Sequence, residues 1–196
     1  MTSKLIFLSM LSVAGFAQDK PAESPTLEQT REWLSNNLGA LSVAGSFKIG
    51  DESITESIRW IPVELKSCSL AVRRFEQQSS SSAQPDGTRR FEHQSCSRVF
   101  TVPLGSIVSL TAGRRALQDF WGRQPEGISI ALYTLELRSK SANIQSEGTC
   151  TSNGNSSSSN KRLQVVEFET GDSDFLRRIQ NALTHAADLC KAKEIF

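Results

Sequence analysis

Lys66-Ser67-Cys68-Ser69-Leu70-Ala71-Val72 alternates apolar and small side chains with a period of two, the spacing of a strand with one buried face. Cys68, Leu70 and Val72 share one parity, and Ser69 and Ala71 take the other. The pattern recurs on both sides. Ile58 and Trp60 alternate before Pro62, and Cys96, Phe100, Val102 and Leu104 share a parity interrupted by Arg98. Ile128, Ile130 and Leu132 oppose Ala131, Tyr133, Leu135 and Leu137, and Leu163 to Phe168 ends the series. Short alternating runs separated by Gly, Ser and Pro predict an antiparallel meander, a bent sheet or half-barrel, between about Phe47 and Phe168. No helix-length pattern separates the strands regularly enough for a βαβ fold.

Helical periodicity brackets the strands, which makes the expected class α+β. Pro25 to Leu38 carries Leu27, Leu34 and Leu38 at helical spacing with Trp33 beside them, and Gly39 suits the stop. Either Ser24 caps this helix with Pro25 in its first turn, or Thr26 caps it with Gln29 closing a capping box. At the other end Asp172 or Ser173 caps a closing amphipathic helix. There Phe175, Leu176, Ile179, Leu183, Ala186, Leu189 and Cys190 repeat every three or four residues, a face expected to pack on the sheet. Two serine-rich stretches, at about 77–87 (Ser79 to Ser82, then Pro85-Asp86-Gly87) and 141–161 (Ser156 to Ser159), are expected as mobile loops. Such composition buries too little apolar area to offset the entropy of ordering. Gln118 to Gly127, with Phe120, Trp121 and Pro125, reads as an irregular connection over one end of the sheet.

The first seventeen of the 196 residues have the order of a secretory signal peptide. Lys4 precedes the apolar run Leu5 to Val13, and Gly15 and Ala17 stand at −3 and −1 of a cleavage before Gln18. Residues 18–24 then form a linker and 25–196 a single domain, exported to a periplasm or outside the cell. The charge is +1, from 22 Lys+Arg and 21 Asp+Glu, and falls to about 0 once Lys4 is removed. That balance points away from nucleic acid and anionic membranes as partners. No apolar run approaches the roughly 20 residues of a transmembrane span.

All four cysteines, Cys68, Cys96, Cys150 and Cys190, lie beyond the leader, and an even count in an exported chain predicts two disulfides. In a meander the closing helix runs back about 27 Å over eighteen residues, which returns Cys190 to the end of the sheet where the Cys68 strand starts. Both thiols then face the sheet–helix interface, which favours Cys68–Cys190 with Cys96–Cys150. The rival, Cys68–Cys96 with Cys150–Cys190, joins neighbouring strands and stays open.

Chemically reactive side chains are sparse. His93 and His185 are the two histidines, and no His-x-x-x-His, Gly-x-Ser-x-Gly or phosphate-cradling glycine loop occurs. No catalytic residue, cofactor or metal ligand is therefore assigned, and the carboxylates Glu64 and Glu92 have no visible common cleft. Arg73-Arg74 and Arg89-Arg90 flank the same serine stretch. They form either one positive patch at a hairpin end or a solvated loop base balanced by Glu76 and Glu92. Arg114-Arg115 is a third basic doublet.

Lys66-Ser67-Cys68-Ser69-Leu70, then Val102-Pro103-Leu104, then Asn181-Ala182-Leu183-Thr184-His185-Ala186-Ala187-Asp188-Leu189-Cys190 resemble, in that order, a group of small exported bacterial proteins of unknown function. Those are similar to the pleckstrin-homology-like superfold, a bent antiparallel sheet plugged by a C-terminal helix. The resemblance implies architecture, brings no catalytic residue, and does not extend to a lipid-binding basic loop. The expected function is an exported, non-catalytic binding or interaction module of unknown partner, a protein or a small apolar ligand. One alternative is a carrier of a small apolar ligand held between sheet and closing helix. A second is a hydrolase, which a histidine clustered with a nucleophile and a carboxylate would favour.

Overall fold

Hydrogen-bond pairing sorts nine strands of the computed structural model, which describes residues 24–115 and 132–193, into two antiparallel sheets. The expected signal peptide, most of the linker, the 118–127 connection and the strand positions Ile128, Ile130 and Ala131 lie outside the described residues. The order is α1 (Leu27–Asn37), β1 (Ser42–Ile49), β2 (Glu52–Lys66), β3 (Ser69–Ala83), β4 (Arg89–Pro103), β5 (Ile107–Arg115), β6 (Leu132–Ser139), β7 (Ile144–Ser152), β8 (Asn155–Leu163), β9 (Val165–Thr170) and α2 (Ser173–Lys193). One sheet runs β1-β2-β3-β4-β7-β8 and the other β5-β6-β9. The chain meanders through four strands, crosses to the second sheet for two, and returns to lay β7 beside β4. The class is α+β, with a partly open larger sheet.

The core lies between the sheets and the helices. From the larger sheet come Ile58, Trp60, Leu70, Val72, Phe100 and Val102; Leu135, Leu137 and Phe168 meet them from the smaller one. The Trp60 ring sits 4.5 Å from Phe168 and 5.6 Å from Phe100, both tilted. Helix α2 plugs this space with Ile179, Leu183, Ala186 and Cys190, all without exposed surface. Asp172 starts that helix by accepting the Phe175 N–H at 2.9 Å. At α1 the capping box wins over the Ser24 start: Thr26 accepts from the Gln29 N–H, and Gln29 accepts from the Thr26 N–H.

The serine-rich stretches are strands, which corrects the loop expectation. Ser79 to Ser82 continue β3 opposite Arg90 to His93, and Ser156 to Ser159 lie in β8 opposite Gly148 to Thr151. The composition argument counted apolar burial. In these segments the backbone pairs with the neighbouring strand along its length, and hydroxyl pairs such as Thr151–Ser156 (2.9 Å) add cross-strand bonds. The real turns are short: 84–88, and Asn153-Gly154, where both residues have positive φ, +46° and +84°. That Asn-Gly pair suits a two-residue hairpin.

Two disulfides join the described strands and helix. Cys68, in the β2–β3 turn, meets Cys190 near the end of α2 with Cα atoms 5.5 Å apart. Cys96 and Cys150 face each other across β4 and β7, Cα atoms 4.1 Å apart. This is the first of the two pairings derived above. It clamps the closing helix to the β2–β3 turn and cross-links β4 to the strand that returns from the second sheet.

Candidate functional site

Strand alternation divides the larger sheet into an inner face, toward the core, and an outer one. Cross-strand register extends the division over all six strands. Trp60, Arg74 and Arg98 form one inward row, with Ile58, Glu76, Cys96 and Cys150 in the next. Arg59, Phe75, Ser97 and Thr149 form an outward row between them.

Around Arg74 the charge on the inner face is paired internally, while Arg98 in the same row makes no ion pair among the described residues and its buried Nε has no acceptor. Glu169 of β9 is 4% exposed and accepts from Trp60 Nε1 at 2.9 Å and from Arg74 Nη2 at 3.0 Å. Arg74 also bonds Glu76. Burial works against the Arg74 charge, yet the two carboxylates raise its pKa above the ordinary value. Burial pushes the Glu169 carboxyl up, and Arg74 and Trp60 pull it back. Glu56 is the misfit. It is 6% exposed, its Oε2 has no hydrogen-bond partner among the described residues, and its pKa is pushed up to about 7, first by burial and then by Glu76. Nearer the tip, Arg90 pairs with Glu92 at 2.8 Å.

The outer face differs in kind. Each of the six strands gives it at least two hydroxyls, among them Ser46, Thr55, Ser79, Ser95, Thr149 and Ser158. Several are joined: Ser46 to Thr55 at 2.9 Å, and Ser79 to His93 Nδ1 at 2.9 Å. Glu64 and Lys66, past the β2 bulge, pair with each other. The remaining strand charges are Lys48, Arg59, Arg73, Arg89 and Arg162 against Glu147 alone. None of these five bases makes an ion pair among the described residues. Arg59 and Arg73 stack on Phe75, 5.1 and 5.8 Å from its centroid, and the buried Nε of Arg73 has no acceptor. Shallow depressions flank this stack, about 290 Å³ beside Ser57, Arg59 and Gln77, and about 470 Å³ beside Arg73, Thr149, Ser158 and Asn160. Phe91, 74% exposed, stands toward the tip.

The sequence candidates are thereby placed. Alternation splits each arginine doublet, sending Arg74 and Arg90 inward and Arg73 and Arg89 outward, so no single hairpin-end patch forms. Arg73 and Arg89 lie ten positions apart along the ribbon, about 33 Å. Glu64 points outward and Glu92 inward, so those carboxylates never meet. Arg115 bonds Glu167 at 2.7 Å on the smaller sheet. His93 is an exposed strand residue beside Ser79, with no carboxylate bonded to its ring among the described residues, so a serine–histidine contact exists without its orienting acid. His185 donates Nε2–H to the Pro25 carbonyl at 2.6 Å, which fixes its tautomer and ties α2 to the start of α1. Beside it an apolar groove of about 420 Å³ runs between the helices, lined by Pro25, Thr30, Trp33 and Ala182 with Gln29 and Asn181. The space between sheet and closing helix, where a ligand cavity was expected, is occupied by Ile179 and Leu183.

No helix among the described residues is long and apolar enough to cross a membrane. Set against protein-family models, curated proteins and solved structures, the chain matches none.

Proposed function

We propose that this protein is an exported, non-catalytic binding module whose working surface is the outer face of the six-stranded sheet. The observation that carries the reading is the unpaired state of Lys48, Arg59, Arg73, Arg89 and Arg162, on a face where Glu147 is the one unpaired acid. Bases held by a pleated sheet at fixed spacing, without partners of their own, are available to an anionic one. Two disulfides fit an oxidising compartment and keep the sheet rigid.

Retention on a sulfonate matrix at pH 7.5 and low salt tests the reading. The oxidised protein, near zero net charge, is expected to bind. Arg73→Gln/Arg162→Gln is expected to elute well before Arg177→Gln/Arg178→Gln, which carries the same net charge but is altered on exposed positions of α2. Equal elution of the two variants would refute the outer face as the working surface.

The groove between α1 and α2 supports a second reading, a carrier of a small apolar ligand. Native mass spectrometry of protein from its own host decides it: a co-purifying lipid-sized mass favours the carrier, and a bare polypeptide mass favours the module.

A further inference from the structure

We infer that the partner of the outer face is an anionic polysaccharide, a polyhydroxylated chain bearing carboxylate or sulfate groups. This rests on the outer face being the working surface and adds the chemistry of what it holds. Two kinds of group are interleaved there. Serine and threonine hydroxyls both donate and accept, as sugar hydroxyls do, and they occupy every strand. Arg59, Arg73 and Arg162 present donor forks that match carboxylate and sulfate oxygens. The stack on Phe75 holds two of those forks in place, so their ordering cost is met before binding.

Shape favours a polymer over a small molecule. Strand β3 runs fifteen residues, about 50 Å, and the depressions are open troughs on either side of the Arg59–Phe75–Arg73 stack. A chain crossing the strands meets a charge at the stack and hydroxyls in each trough. Phe91 offers an uncovered ring to the apolar side of a sugar. DNA shares the charge but lacks free sugar hydroxyls along its chain, and an anionic lipid surface does not present a linear chain of them to lie across the strands.

Binding of the oxidised, full mature protein to polygalacturonate, dextran sulfate and neutral dextran, with single-stranded DNA and phosphatidylglycerol vesicles as competing polyanions, tests the assignment. The charged polysaccharides are expected to bind most tightly, and neutral dextran not at all. Arg73→Gln/Arg162→Gln should weaken polysaccharide binding at least about tenfold, on the scale of two lost charge-assisted bonds. Arg177→Gln/Arg178→Gln should leave it unchanged, and Phe91→Ala should weaken binding to polysaccharide but not to the phosphatidylglycerol vesicles. Tighter binding to DNA or vesicles, still dependent on Arg73 and Arg162, overturns the glycan and leaves the outer face standing. Polysaccharide binding indifferent to Arg73 and Arg162 overturns both.

Discussion

On one side of β3, Arg74 is locked between Glu76 and Glu169, which also accepts from the indole N–H of Trp60; one residue earlier, Arg73 emerges on the other side and finds no acceptor for its Nε. The two arginines are adjacent in sequence and identical in chemistry. What separates them is the pleat. Facing the second sheet, Arg74 is taken out of water, and three carboxylates, Glu56, Glu76 and Glu169, converge on it. Facing outward, the Arg73 guanidinium rests on the Phe75 ring with its Nε buried and unbonded, and no carboxylate among the described residues pairs with it, so an uncompensated row persists there. The Arg74 cluster serves the fold, and the outer row is the surface we propose for a partner.

Substitutions that cross this divide should differ steeply in cost. Leu183→Asp places an unpaired carboxylate in the fully buried helix–sheet interface, and the variant should fail to fold. A cooperative thermal transition at the wild-type temperature would show that α2 is not core. Arg74→Met should cost about 3–5 kcal/mol, because it strands Glu169 among apolar groups. Denaturant midpoints measure this, and a loss below about 1 kcal/mol would mean that the inner cluster is solvated like the outer one.

Glu56→Gln sharpens the contrast through pH. The folded pKa of about 7 lies above the ordinary 4.5. The folded state therefore holds this proton more tightly, and the stability it contributes is full below about pH 4.5 and lost as pH rises through 7. The wild type should lose up to about 3 kcal/mol across that window from this group, and the glutamine variant should not. Parallel pH–stability curves for the two proteins would remove Glu56 from the account. The smallest effect is expected from Arg73→Gln, within about 0.5 kcal/mol of wild type in stability, while outer-face binding falls. A large destabilisation would make Arg73 structural.

Much of the architecture is legible in the residues, and the reason is burial. Leu70, Val72, Phe100 and Val102 alternate because one face meets the core, and Ile179, Leu183 and Ala186 follow the helical period for the same reason. The disulfide pairing was derivable because a returning helix leaves few places for Cys190. Legibility ended where apolar burial ended. Ser79 to Ser82 and Ser156 to Ser159 carry no apolar alternation, so their strands are invisible to periodicity, although Asn153-Gly154 marks the second hairpin. The outer face was equally hidden. Arg59, Arg73 and Arg162 come from three strands, and only cross-strand register puts them on one surface. The inner cluster was missed for a like reason, since Glu56, Arg74 and Glu169 are far apart in sequence and meet only when β9 closes over β2.

The Cys68–Cys190 bridge has a mechanical consequence. Tension applied between the N-terminal segment and the end of α2 passes through the sulfur–sulfur link and bypasses the chain between the two cysteines, which are 122 positions apart. Helix α1 and the hairpin β1–β2 carry the load, while β3 to β9 ride unstretched inside a closed covalent ring. About 400 Å of contour stays withheld until the bridge is reduced, a difference that force–extension traces taken before and after reduction read directly. The sheet that carries the outer face can thus be tethered and pulled without being unravelled, apart from its first two strands.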